Sequence, residues 1–88
     1  MPYIKQESRP KWDGLIQQLI EELKKESPES IDGTLNYIIT RIFKAVYPAK
    51  YYHYNKAIGA LECIKQELYR RVIAPYEDEK IKENGDLP

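Results

Sequence analysis

Only one cysteine, Cys63, and one histidine, His53, occur in the whole chain of 88 residues. A single cysteine excludes an internal disulfide framework, and a reducing, cytoplasmic setting is expected. The two side chains stand ten residues apart, with no CxxC or HExxH spacing anywhere. The ligand set of a zinc site is therefore missing, and no metal or other cofactor is expected. The four glycines, Gly14, Gly33, Gly59 and Gly85, are isolated, which excludes a glycine-rich phosphate loop. No apolar run approaches the roughly 20 residues that span a bilayer, so no membrane partner is expected. The opening MPYIKQESRP lacks the apolar stretch of a secretory signal. An excess of charge is missing too, since 14 basic residues balance 14 acidic ones. No global field then draws the protein to nucleic acid or to an anionic surface.

What is present is helical periodicity. Residues 1–8 carry no period and read as an extended arm, with Tyr3 and Ile4 as its apolar side chains after Met1. Ser8 or Asp13 suits an N-cap, and Pro10 suits a first helical turn, where a missing N–H costs nothing. Trp12, Leu15, Ile16, Leu19, Ile20 and Leu23 follow the 3-4 spacing of one helical face, so a helix is expected over about 9–26. Pro28 disfavours helix at Ser27 and stops it. Ser30 or Asp32 then caps a second helix, about 31–47, with Leu35, Ile38, Ile39, Ile42, Phe43, Val46 and Tyr47 as its stripe. Strands alternate with period two and rarely run so long, which argues against the β-branched content meaning a strand.

A third helix is expected over about 52–73. Its main stripe is Ile58, Leu61, Ile64, Leu68 and Val72, while Ala57, Gly59, Ala60 and Cys63 are small. Small residues let a neighbouring helix approach, so this helix is expected to be central and Cys63 a buried structural thiol. Pro75 interrupts the pattern and opens a short fourth helix, about 75–84, with acidic residues at its start and Asn84-Gly85 at its stop. The fold class expected is all-α: a small antiparallel three-helix bundle with a short fourth C-terminal helix, forming one domain over 1–88.

Several phrases carry a resemblance. They are MPYIKQ with RPKWD behind it, DGTLNYIITR at 32–41, NKAIGALECIKQELYRR at 55–71 and PYEDEKIKENGD at 75–86. Together they resemble a family of short proteins of unknown function found in bacteria, archaea and phages. The resemblance spans nearly the whole chain. It implies a compact, cytoplasmic, stand-alone domain and brings no catalytic or binding residues with it.

Tyrosines crowd residues 50–59, KYYHYNKAIG. Tyr54 stands one turn before Ile58 and Tyr47 four after Phe43, so both extend core stripes. Tyr51 and Tyr52 lie between them and cannot both point inward. With Tyr69 and Ile73, which lie off the main stripe, they form the candidate interaction surface, because aromatic residues are enriched in interfaces. His53 reads as a loop or cap residue.

Charge is uneven locally. Lys50, Lys56, Lys65, Arg70 and Arg71 against Glu62 and Glu67 give a net +3 over 45–73, and residues 74–88 carry a net −3. Lysines beside tyrosines suit a single strand of nucleic acid, with Lys50, Lys56, Arg70 and Arg71 as candidate contacts. Against this, an acidic segment directly follows, and the helix is mostly apolar where a recognition helix is polar. Arg41 and Glu62 are a candidate structural ion pair between helices. Asn36, Thr40, Arg41, Glu62 and Arg70 alternatively line a small polar cleft. Acidic residues such as Glu21, Glu22, Glu62 and Glu67 suggest a metal-dependent hydrolase only weakly, because Glu21 and Glu22 belong to an ordinary solvated face. No enzyme is expected. The sequence favours a non-catalytic helical module that meets a protein partner or a second copy of itself as a homo-oligomer, ahead of a nucleic-acid-associated protein.

Overall fold

A computed structural model describes residues 3–88, and every regular element among them is helical. A 3-10 turn, Gln6–Ser8, precedes α1 (Pro10–Leu23), α2 (Ile31–Val46) and α3 (Tyr51–Leu68). A π-helical turn, Tyr69–Ile73, then runs directly into α4 (Ala74–Asn84). The chain divides after Pro48 into two compact units, and each is described by itself.

In the first unit, Met1 and Pro2 of the expected arm lie outside the described residues. The rest is not fully extended, since residues 6–8 turn. Tyr3 and Ile4 stay exposed. The Arg9 guanidinium donates to the Ile4 carbonyl through Nε at 3.3 Å and Nη2 at 3.2 Å, folding the segment back. Arg9, and not Ser8, occupies the N-cap of α1, and its carbonyl accepts from Trp12 and Asp13. The Pro10 ring fixes φ where no N–H is needed, which is why α1 starts there.

Between α1 and α2 one carboxylate organises the turn. Glu26 accepts hydrogen bonds from Ser30 Oγ and Thr34 Oγ1, each at 3.2 Å. This places negative charge at the first turn of α2, where the exposed backbone N–H groups favour it. Helix α2 ends where Pro48 pushes Tyr47 into an extended conformation, with ψ 126°. The Phe43 and Tyr47 rings stack with centroids 5.5 Å apart. Leu23, Ile31, Thr34, Ile38, Phe43 and Tyr47 are half-buried, and the rest of both stripes is exposed.

The second unit corrects two expectations. First, α4 is not a separate helix: it continues α3 through the π-helical turn. The cause is local. Pro75 has no N–H to give, and its ring crowds the carbonyl four residues back. Widening the turn to an i→i+5 pattern resolves this, and Ala74 N–H bonds to the Tyr69 carbonyl. From Tyr51 to Asn84 the helical path is about 50 Å at the usual rise per residue. It stops at Gly85, whose φ of 88° only glycine adopts easily.

Second, α3 is not enclosed on several sides. Ala57, 9% exposed, is the one buried residue among those described. His53, in the first turn of α3, and Ala60 are half-buried on the same side. Ile58, Leu61, Ile64, Leu68 and Val72 all remain exposed. Cys63 is exposed as well, not a buried thiol. It lies five residues before Leu68, which turns it about 140° away from that side chain.

Candidate interaction surface

The exposed apolar face of the second unit is a seam interrupted once, at Lys65. Tyr54, Ile58, Leu61, Leu68 and Val72 recur at intervals of four, three, seven and four residues. This is the period that keeps one side of a helix facing a neighbour. Lys65 stands where the skipped position falls, with Ile64 beside it. Ile58 is 66% exposed, although isoleucine is among the residues most often fully buried. The first unit has an open face of its own, including Leu15 and Ile16 on α1, and Ile42 and Val46 on α2.

The candidate residues fall at several places on this framework. Tyr51, 80% exposed, extends the seam at its N-terminal end. Tyr52 points to the opposite side, where the Lys56 ammonium stands 5.5 Å from its ring centre. The ring also meets His53 edge-on, centroids 5.2 Å apart. Tyr69 and Ile73 belong to the π-helical turn, 18 positions beyond Tyr51, or about 27 Å along a helix. The four residues thus do not make one patch; the apolar seam between them does.

Tyr69 has a partner that the sequence did not suggest. Its hydroxyl donates to Glu77 Oε1. Eight residues normally place two side chains on poorly matched sides of a helix, and the widened turn brings them together. The hydrogen bond to Glu77, then the charge of that carboxylate, hold the Tyr69 pKa above its ordinary value.

The basic residues are likewise dispersed. Arg70 Nη2 pairs with Glu67 at 2.9 Å, and Lys65 with Glu62 at 3.0 Å. Lys50, Lys56 and Arg71 have no ionic partner within the unit. Arg41 and Glu62 fall in different units. Within its own, Glu62 takes hydrogen bonds from Lys65 and from Gln66 Nε2, which hold its carboxyl below the usual carboxylate range. Arg41 lies over the Tyr37 ring, 5.7 Å from its centre. Of the five residues expected to line a polar cleft, Asn36, Thr40 and Arg41 line a shallow, open depression on α2, with Thr40 Oγ1 bonded to Asn36 Oδ1 at 3.1 Å, while Glu62 and Arg70 belong to the other unit. The walls of the depression come from one helix alone, which gives a ligand little to be enclosed by. No helix among the described residues is long and apolar enough to cross a membrane.

The chain is thus an all-α protein whose amphipathic helices leave apolar faces open. The family described as Domain of unknown function (DUF6899) matches residues 1–87, and the protein belongs to it. No curated protein and no solved structure matches the chain.

Proposed function

We propose that the protein is a non-catalytic helical interaction module that covers its apolar faces with a protein partner. Surface area carries this reading. The chain exposes 8211 Å². Two separate compact bodies of about half its 10.4 kDa each would together expose roughly 6500 Å². The difference, about 1700 Å², is roughly twice what each partner gives to a standard protein interface. Aliphatic side chains left in water at this density mark a contact surface and not an ordinary exterior. The single cysteine of the sequence, Cys63, fits a reducing, cytoplasmic setting.

Capture from extracts of the source cells tests the reading, using the tagged protein and its Ile58→Asp, Leu68→Asp variant side by side at high salt. A protein, or an untagged copy of the same chain, held by the native form and lost from the variant supports it. Identical sets of proteins from both forms refute it. Nucleic acid recovered only at low salt would instead favour the basic residues Lys50, Lys56, Arg70 and Arg71, because phosphate contacts are screened.

A further inference from the structure

We infer that Tyr69 and Glu77 form a latch that selects the widened turn between α3 and α4 and so fixes how α4 is turned relative to α3. Pro75 demands a departure from the regular helix but does not choose which one. The common outcome at a proline is a kink. In a kinked helix of regular register the Ala74 N–H would return to the Arg70 carbonyl, four residues back. Here that N–H goes to the Tyr69 carbonyl. Residue 75 offers no N–H in either register, so the missing donor weighs on both.

The latch weighs on one alone. Residues 69 and 77 are eight positions apart, which in a regular helix sets them about 80° apart around the axis. In the widened turn the Tyr69 hydroxyl donates to Glu77 Oε1. A contact made in one of two states shifts the equilibrium toward that state by its full worth. The surroundings leave these two groups to each other. Lys65 and Gln66, one turn before Tyr69, both bind Glu62. Val72 and Ile73, one turn after it, are apolar. Lys80, one turn beyond Glu77, pairs with Glu83 at 3.2 Å. Ile73, Ala74 and Ile81, the other residues one turn from Glu77, have no polar side chain. By holding the register, the latch sets the side on which α4 presents its exposed Tyr76 and Ile81. The Tyr69 ring is itself exposed, and a group attached to its hydroxyl would remove the donor and release the turn. The latch acts within one helix and does not depend on what covers the seam.

Scalar couplings across hydrogen bonds, measured by NMR on the full chain, read the register directly. In the native protein the Ala74 N–H is expected to couple to the Tyr69 carbonyl. In Tyr69→Phe and in Glu77→Ala the ratio of widened to regular register should fall about two- to tenfold, the worth of one hydrogen bond. A coupling from Ala74 to the Arg70 carbonyl should then appear. Glu77→Gln keeps an acceptor and should return most of the native ratio. All three variants change exposed side chains, and circular dichroism checks that the helices persist. Coupling confined to the residue 69 carbonyl in every variant overturns the latch and leaves Pro75 as the sole cause of the turn. Coupling to the Arg70 carbonyl in the native protein overturns it as well, because the register it holds is then absent.

Discussion

Replacing Ile58 with alanine separates a covered seam from a solvated one. The substitution removes three carbon groups, worth about 0.8 kcal/mol each when fully buried. Ile58 is 66% exposed in the single chain, so a partner covers at most about two-thirds of that value, roughly 1.6 kcal/mol. At 1.4 kcal/mol per decade, the dissociation constant should rise roughly 14-fold. Alanine also forms helix better than isoleucine, by a few tenths of a kcal/mol. That gain acts on the helix whether free or bound and largely cancels from the dissociation constant. Sedimentation equilibrium over a concentration series reads the change, with Lys82→Ala in an exposed ion pair as the control. If Ile58 stays in water, the effect is that of any surface substitution, within about 0.5 kcal/mol and under threefold. A change that small would refute the reasoning from exposed area to contact.

Three further outcomes follow from single residues. Gly59→Ala should stabilise the protein by up to about 1 kcal/mol in urea melts, because nothing lies within 4 Å of the added Cβ; destabilisation would show that a neighbour approaches this side closely. Pro75→Ala returns a backbone N–H and removes the need for the π-helical turn. It should strengthen the helix by about 1–3 kcal/mol, while turning α4 by about 100° relative to α3. The Tyr69–Glu77 contact should break, and the alkaline shift of Tyr69 should vanish from its absorbance titration. With the Tyr69 pKa raised in the folded state, its contribution is fully present below its ordinary value of 10.0 and is lost as pH rises through the folded pKa. Stability measured from pH 8 upward should therefore fall above that point, and Tyr69→Phe should flatten the fall; an unchanged slope would remove the Glu77 contact as its cause.

Much of the local structure was legible because its causes are local. Pro10 and Pro48 bound helices by fixing or restricting one backbone angle, and Gly85 ends one because only its missing Cβ permits φ of 88°. The stripes on α1, α2 and α3 follow from 3.6-residue periodicity. Pro75 was recognised as an interruption, but whether a chain breaks or widens its turn there depends on the competition among successive carbonyls. That outcome is decided only once both flanking helices exist. The role of Glu26 was hidden for a related reason, since its two hydroxyl donors stand four and eight residues away and meet it only after the turn has formed.

The candidate surface divides in the same way. Sequence alone determined that the protein is all-α, that its helices are amphipathic, and that aromatic and apolar residues exceed what one stripe can hold, because side-chain type and helical period fix the face on which each residue lies. Tertiary structure alone decided which of those faces is covered. Cys63 was expected inside and stands outside, and Ile58 was expected in a core and stands two-thirds in water. Periodicity states that a face is apolar but not what lies against it, since coverage is a property of two surfaces and the sequence of a stripe describes one.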